Sequence, residues 1–246
     1  MNFVHTMGFK VFNDNLENIS KSKKLIIINT ISPNSYGIST KDYFFREALK
    51  KSDYLVLDGV YFALSTILMQ RKSIKKNQGP DVFSYFINKV NTKKGKVFFL
   101  GSTQATLDKI NKKLKCEYPD IVMDSYSPPF KAEFNDIDNY VILDKINKFN
   151  PDVLFVGMTC PKQEKWVYRN KDKINASYAI SIGAVFDWYA GNEKEIASMW
   201  WRLNLAWLIR TINRPEILKR FPNIGIFFLH LLFAIIGIKK YKNGEF

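Results

Sequence analysis

Six short runs of apolar residues alternate along the chain with longer segments that have the apolar spacing of helices. The runs are continuous and rich in β-branched and aromatic residues, which is typical of strands buried on both faces of a sheet. The alternation predicts an α/β fold with a mainly parallel, Rossmann-like sheet flanked by helices. The predicted strands are 25–29, 54–58, 97–101, 121–123, 153–157 and 178–182, and the predicted helices are 40–51, 60–71, 80–91, 103–116, 136–149 and 161–172.

Polar residues stand at the ends of the first two predicted strands, where Thr30 and Asp58 each follow an apolar run. Right-handed crossovers bring the loops after parallel strands to one edge of the sheet, and ligands bind in the crevice there. We therefore expect Thr30 and Asp58 to line one crevice. A lone aspartate at a strand end is compatible with a general base, a ribose-binding acid or a helix N-cap, and spacing does not decide among them.

Three further strand ends supply candidate binding residues. Gly101 and Ser102 open a predicted helix whose backbone N–H groups could face a phosphate, although one Gly-Ser pair is a weak indication. Lys162 and Gln163 begin the helix after the strand 153–157, which suits an anion or sugar site about as well as an ordinary capped helix. Gly183 follows the last strand at the same edge.

The composition narrows the function classes. The formal net charge of +14 is compatible with nucleic acid, an anionic membrane or a phosphorylated substrate as partner. Cys116 and Cys160 form no C-x-x-C pair, which indicates a reducing, cytoplasmic setting, and with only His5 and His230 the chain shows no metal-ligand cluster. The sequence also contains neither G-x-G-x-x-G nor a P-loop, so a dinucleotide cofactor or an ATPase has no support.

The character of the chain changes near residue 195, and we predict a catalytic α/β domain over 1–194 and a C-terminal appendage over 195–246. The appendage contains an apolar stretch, 224–238, that is shorter than the ~20 residues that span a bilayer. Arginines precede this stretch, and Lys239 and Lys240 follow it. Apolar residues with flanking cations favour a helix at an anionic membrane surface, and a buried core or oligomer helix is the alternative.

Four motifs resemble those of the WecG/TagA/CpsF glycosyltransferases, and the resemblance runs from about residue 10 to residue 220. They are PDVLFVGMTCPKQEKW (151–166), GAVFDWYAG (183–191), VLDGV (56–60) and the closing WLIR and NRPE (207–216). The resemblance implies transfer of an N-acetylhexosamine-type sugar from a UDP-sugar to a polyprenyl-diphosphate-linked sugar, with inversion and without a metal. It also implies a bacterial enzyme of surface polysaccharide or teichoic acid biosynthesis, peripheral on the cytoplasmic face of the membrane. A homo-oligomer is compatible with the sequence.

The resemblance assigns roles to individual residues. Asp58 matches the general base, Thr30 and Gln163 match pocket residues, and Arg210 and Arg220 match appendage arginines that hold the diphosphate, with Arg214 as a further candidate. The chain departs from the family at Ser32, where asparagine is common, at Ile217, where some relatives carry an arginine, and at 195–197, which replaces a basic-Ala-Pro sequence. These departures concern the donor sugar and the closure of the site more than the reaction class.

Two other functions compete with the glycosyltransferase. A nucleic-acid-binding protein would explain the positive charge and the aromatic content, but the sequence lacks a helix-turn-helix, RNP-type or zinc-finger pattern. A soluble nucleotide-sugar epimerase or dehydrogenase would use the same kind of sheet, but the glycine fingerprint for a dinucleotide is missing. We therefore predict a glycosyltransferase that binds no nucleic acid.

Overall fold

The computed structural model describes residues 2–75, 77–193, 199–200 and 206–241, except for the side chains of Val60, Ala206, Trp207 and Arg210. Within these residues a six-stranded sheet has the order β4-β3-β8-β7-β5-β6, and every pairing in it is parallel. The predicted α/β class with a parallel sheet is therefore confirmed. The strands are β1 Phe3–Thr6, β2 Phe9–Phe12, β3 Ile26–Ile31, β4 Tyr54–Leu57, β5 Lys96–Gly101, β6 Val122–Tyr126, β7 Val153–Gly157 and β8 Tyr178–Ser181.

Burial explains why the central strands were predictable from their apolar runs. All residues of β4, β7 and β8 are buried, and helices cover both faces of a parallel sheet of this kind. The edge strand β6 is only partly buried and continues through Asp124 and Ser125 to Tyr126, beyond the apolar run that predicted it. Its backbone pairing with β5, rather than side-chain burial, defines this strand.

The first two strands form an antiparallel hairpin that the apolar pattern did not predict. Each strand has only four residues, and the turn between them places Met7 and Gly8 at positive φ angles of 49° and 78°. The hairpin packs on the sheet through the Phe12 ring, whose centroid lies 5.1 Å from that of Tyr54. Strands this short carry too few residues for a pattern of period two to be recognised.

Ten α-helices lie within the described residues. The six predicted helices are all present within a few residues of their expected bounds, and the sequence did not predict α1 and α8. The helices are α1 Pro33–Ser39, α2 Tyr43–Lys50, α3 Val60–Gln70, α4 Gly79–Asn91, α5 Gln104–Glu117, α6 Asp136–Phe149, α7 Lys162–Asn170, α8 Val185–Tyr189, α9 Ala206–Asn213 and α10 Phe221–Ile235.

The C-terminal helix α10 packs directly on α1. A Cβ added at Gly37 of α1 would meet the Asn223 carbonyl oxygen of α10, so the two backbones touch there. Phe227 and Leu231 of α10 are buried in the same core cluster as Tyr36 of α1. The contact also has a polar part, because the Tyr36 hydroxyl lies 2.9 Å from His230 Nδ1 and 2.8 Å from the Tyr241 hydroxyl.

The opposite side of α10 exposes apolar side chains. Phe228, Leu229, Leu232 and Ile235 each expose two-fifths or more of their surface. The helical segment Pro215–Ile235 has 21 residues and contains an 18-residue window with a mean hydropathy of 1.4, so it is long and apolar enough to cross a membrane by length and composition alone. The stretch predicted to lie at a membrane surface therefore has one face on the protein and one apolar face outward. The predicted domain boundary, between 194 and 195, lies outside the described residues and stays a prediction.

Candidate functional site

A cleft of about 1810 Å³ opens at the carboxyl ends of the parallel strands. Strand ends, the start of α7 and the segment before α10 all contribute to its wall. The predicted site residues that line it are Thr30, Ser32, Asp58, Gly101, Ser102, Lys162, Gln163, Gly183, Arg214 and Arg220. The side chain of Arg210, also predicted here, lies outside the described part of the chain. Among the lining residues eight are acidic and eight are basic.

Thr30 and Asp58 are neighbours across two adjacent parallel strands. Thr30 pairs with Val56 in the register of β3 and β4, and the Asp58 N–H donates to the Ile31 carbonyl oxygen at 2.8 Å. The expectation that the two residues share one crevice is therefore confirmed by position. Gly59, at a φ of 83°, rather than Asp58, occupies the N-cap position of α3. This geometry disfavours the N-cap explanation for Asp58, and its role as base stays a prediction.

Ser32 has a structural role that the sequence did not show. Its hydroxyl accepts the Ser35 N–H at 3.3 Å, and the Ser35 hydroxyl accepts the Ser32 N–H at 2.7 Å, so the two serines form a capping box. Pro33 takes the first helical position, which its fixed φ suits. The residues that follow Thr30 thus form a short helix, and Ser32 caps it while facing the cleft.

Gly101 and Ser102 form a tight bend at the end of β5. Gly101 has a φ of 115°, and a Cβ there would lie 2.6 Å from the Gly157 carbonyl oxygen, so only glycine fits. The Ser102 N–H donates to the same Gly157 carbonyl at 3.1 Å. The hydroxyl of Thr103 then accepts the Thr106 N–H and caps α5. Because the Ser102 N–H bonds within the sheet, a phosphate at this end of α5 would need other donors.

Lys162 is turned toward a neighbouring loop. Its ammonium donates to the Lys131 carbonyl oxygen and lies 3.6 Å from the centroid of the Phe134 ring. Burial lowers the pKa of Lys162, and the Asp138 carboxylate opposes this shift. These contacts secure the loop at the rim of the cleft, while the predicted anion contact of Lys162 stays a prediction.

Gln163 and Glu164 are buried polar residues in the first turn of α7, with exposed fractions of 4% and 2%. Gln163 Nε2 donates to Glu164 Oε1 at 2.8 Å, and Gln163 Oε1 accepts the Met158 N–H at 3.2 Å. A Cβ at Gly183, which has a φ of 50°, would lie 3.6 Å from Gln163 Nε2, so these predicted residues adjoin each other.

Arg214 joins the C-terminal segment to the loop after α8. Its guanidinium lies 2.7 Å from Glu193, 3.6 Å from Asp187 and 3.7 Å from Glu216. Asp187 belongs to the FD-x-x-AG motif and Arg214 to the NRPE motif, so the ion pairs bring two separate motifs together. These three carboxylates neutralise much of the positive charge that Arg214 would need to bind a diphosphate. The contacts favour a structural role in which Arg214 holds the two segments together.

Arg220 faces another part of the cleft. Burial and the neighbouring Glu164 carboxyl raise the pKa of the Cys160 thiol well above its ordinary range, whereas Arg220 acts in the opposite direction and Asp58 in the same direction. Arg220 and Asp58 therefore both lie close enough to Cys160 to act on its charge. Among the two appendage arginines whose side chains are described, Arg220 is the better placed to hold an anion beside Asp58.

The described residues offer no candidate group for metal ligation. Within the described residues, no cluster of three or more His, Cys, Asp or Glu side chains could hold a metal ion. The expectation of a metal-independent reaction stays a prediction. Cys116 is exposed, and Cys160 lies partly buried at the cleft, as free thiols.

Sequence reasoning missed Glu164 and Asp187 as members of the site. Trp166, Val167 and Asn170 mark the buried side of α7, and Gln163 precedes them at helical spacing. That spacing could have shown that polar residues of PKQE point inward. No local pattern could have paired Asp187 with Arg214, because the two residues are distant in the sequence.

A parallel α/β sheet with a cleft at its strand ends is the arrangement in which open α/β proteins bind their ligands, and arginines of the C-terminal segment line this cleft. Comparison with known families identifies the class further. The profile of the "Glycosyl transferase WecG/TagA/CpsF family" matches residues 3–241, so the chain belongs to this family and is a glycosyltransferase.

Relatives with named activities cover most of the chain. An N-acetylglucosaminyldiphosphoundecaprenol N-acetyl-beta-D-mannosaminyltransferase of Bacillus subtilis (strain 168) is 28% identical over 219 residues, which are 89% of this chain and 81% of the relative. A protein of the same name from Staphylococcus aureus (strain MW2) is 24% identical over 223 residues, 91% of this chain and 86% of the relative. The family assignment confirms the resemblance seen in the motifs and favours the glycosyltransferase over both competing functions.

Proposed function

We propose that this protein transfers an N-acetylmannosamine-type sugar from a UDP-sugar to an N-acetylglucosaminyl-diphosphate-polyprenol acceptor, with inversion at the anomeric carbon. The names of the relatives support the transferred sugar and the acceptor. The observation that carries the proposal is the position of Asp58 and Thr30 at adjacent strand ends, in one cleft with Arg220 of the C-terminal segment. An inverting transfer needs a base, a polar pocket and a cation for the leaving group.

In the proposed reaction, the acceptor hydroxyl oxygen attacks the anomeric carbon of the donor as the bond to the UDP oxygen breaks. The Asp58 carboxylate takes the hydroxyl proton, and UDP leaves with the bonding electron pair. Asp58 is exposed to the cleft at its strand end, so an incoming hydroxyl can reach it. Thr30, half-buried beside it, contributes a hydroxyl that can donate to or accept from a sugar.

The leaving diphosphate requires positive charge. Arg220 supplies a planar guanidinium that can bind two phosphate oxygens at once. Lys219, the preceding residue, also lines the cleft. Arg214 lies nearby, but its contacts with Glu193 and Asp187 suit it to hold the segment in place. We therefore assign the main diphosphate contact to Arg220, with Arg210 as a further candidate from the family resemblance.

The acceptor is a lipid, and the outer side of α10 suits contact with a membrane. This side exposes apolar residues while Lys239 and Lys240 follow the helix, a combination typical of helices that lie at anionic lipid surfaces. The other side of α10 is packed on α1, so a peripheral location on the cytoplasmic face keeps both sides of the helix covered. In this arrangement the cleft remains near the lipid-linked acceptor.

The test is turnover with Asp58→Asn. UDP release is followed with UDP-N-acetylmannosamine, UDP-N-acetylglucosamine and their uronic forms, each offered with a short polyprenyl-diphosphate-N-acetylglucosamine analogue. We expect UDP-N-acetylmannosamine to support turnover, and the variant to lose about 10²-fold or more in rate because the base is removed. Asp120→Asn is the matched control, since Asp120 pairs with Lys94 and does not line the cleft. Near-normal turnover by Asp58→Asn removes Asp58 from this role, and no UDP release with any donor refutes the proposed activity.

A further inference from the structure

The amide of Gln163 has two protein partners of opposite kind. Its oxygen accepts a backbone N–H from Met158, and its nitrogen donates to the Glu164 carboxylate at 2.8 Å. A flipped amide would place N–H against N–H and oxygen against carboxylate oxygen, and both contacts would be lost. The two partners therefore select one orientation of the Gln163 side chain.

This selection leaves part of the amide unused. An amide nitrogen carries two N–H bonds and an amide oxygen has two lone pairs. In Gln163 each of these atoms makes one hydrogen bond to the protein. No other described residue takes the second N–H or the second lone pair, so both remain for a ligand, and Gln163 lines the cleft beside Gly183. A sugar bearing hydroxyl and acetamido groups can use one donor and one acceptor at fixed positions.

The carboxyl group of Glu164 has few other partners. Its Oε2 atom is buried and accepts no hydrogen bond from the part of the chain that the structure describes. Burying an ionisable group without full partners is unfavourable, and such groups are retained mainly where they serve a function. Among the described residues, the bond to Gln163 is the one strong side-chain contact that the geometry gives to this carboxylate.

We propose that Glu164 is a positioning residue, which fixes the Gln163 amide in the one orientation that binds the sugar of the donor. Glu164 touches no substrate in this scheme and acts through Gln163. The inference rests on the proposed function, since it assumes that a UDP-sugar occupies the cleft. It adds a specificity element on α7 to the base after β4 and the cation before α10.

The charge state of Glu164 gives the inference a measurable consequence. Burial raises the pKa of Glu164 to about 7, while the Gln163 amide and the adjoining Cys160 thiol favour the carboxylate and limit the rise. The groups that act around this cluster are Cys160 in the preceding loop, Asp58 after β4 and Arg220 before α10. The carboxylate that orients Gln163 is therefore present above pH 7 and is protonated as the pH falls through that value.

The experiment compares the wild type with Glu164→Gln and measures kcat and the donor KM from about pH 5.5 to about pH 8.5. In the wild type we expect the donor KM to fall as the pH rises through about 7, because the ionised form accepts from Gln163 more strongly. Glu164→Gln keeps the shape but loses the charge, so its own amide can support either orientation of Gln163. We expect its donor KM at pH 8 to be about 5- to 10-fold higher and nearly independent of pH, with a smaller change in kcat.

Glu17→Gln is the matched control, since Glu17 is exposed in the turn Leu16–Asn18 and does not line the cleft. If Glu164→Gln has the donor KM and the pH profile of the wild type, the proposal is overturned. A change of kcat and of the donor KM by the same factor at every pH also overturns it, because it indicates a structural role alone. If Glu164→Gln does not fold, the wild type decides, because a donor KM that does not change between about pH 6 and pH 8 also overturns the proposal. Absence of wild-type turnover would instead refute the proposed function, so the two failures are distinguishable.

Discussion

Replacing Gly37 with alanine should push α10 away from α1. The added Cβ would lie 2.2 Å from the Asn223 carbonyl oxygen and 2.6 Å from its carbon and Cα, whereas contacts of this kind need more than 3.0 Å. Both sides of the contact are backbone, so no side chain can rotate away. The two helices must therefore separate by about 1 Å, or α10 must leave its place.

The size of the effect follows from the packing. Overpacking a close contact usually destabilises by about 1–3 kcal/mol, and alanine returns about 0.5–1 kcal/mol through its better helix propensity. Full release of α10 would expose Phe227 and Leu231 and forgo about 1.5–3 kcal/mol for each side chain, so a small shift is the less costly response. We expect a net loss of about 1–2 kcal/mol in the free energy of unfolding, or a Tm lower by a few degrees, since ~1 kcal/mol shifts Tm by ~2–4 °C in a chain of this size.

Gly225→Ala is the matched control, because it also replaces a glycine in a helix, and an added Cβ there meets no atom within 4 Å. That variant should gain about 0.5–1 kcal/mol from helix propensity. The assays are thermal unfolding and UDP release, and we expect Gly37→Ala to lower both Tm and turnover since Arg220 directly precedes α10. Equal Tm values for the two variants would refute the packing of α10 on α1.

Two further predictions concern buried polar groups. Because burial raises the pKa of Glu164 from 4.5 to about 7, the native state holds a proton that the unfolded state releases, and stability falls as the pH rises between these values by up to about 3 kcal/mol. The Glu164→Gln variant should lack this loss, so urea unfolding should show that it is more stable than the wild type at pH 8 but not at pH 4. Parallel pH profiles of stability for the two proteins would contradict this. Tyr36→Phe removes the hydroxyl that bonds His230 and Tyr241 and should cost about 1–3 kcal/mol, whereas Tyr43→Phe, at an exposed tyrosine, should change the free energy of unfolding by less than about 0.5 kcal/mol.

The parts of the fold that sequence reasoning predicted are those in which burial and local pattern agree. The central strands are buried on both faces, so their residues read as continuous apolar runs, and their carboxyl ends could be placed at one edge without further information. This rule brought Thr30 and Asp58 together correctly. The helix α1 escaped prediction because it has only seven residues, and its start at Ser32 and Pro33 also reads as a turn.

The missing parts of the site depend on contacts between residues far apart in the sequence. The ion pairs of Arg214 join it to Asp187 and Glu193, which precede it by more than 20 residues in the sequence. The Ser102 N–H, after β5, donates to Gly157 at the end of β7. Local propensity contains no term for such pairs, so sequence alone could name these residues as candidates but could not tell which atoms they already use. The burial of Glu164 lies between these two cases, since the helical spacing of α7 could have shown it, whereas carboxyl groups are seldom buried.

The balance of charges in the cleft has a consequence for how substrates arrive. The chain carries a formal net charge of +14, yet eight acidic and eight basic residues line the cleft among those that the structure describes. The surplus of positive charge therefore comes from residues other than the described ones that line the cleft, and it can draw the whole protein toward an anionic layer over a Debye length of about 8–10 Å. If the proposed function holds, capture of the protein by an anionic membrane should weaken steeply with salt, while diffusion of the proposed anionic donor into the cleft should depend on salt much less.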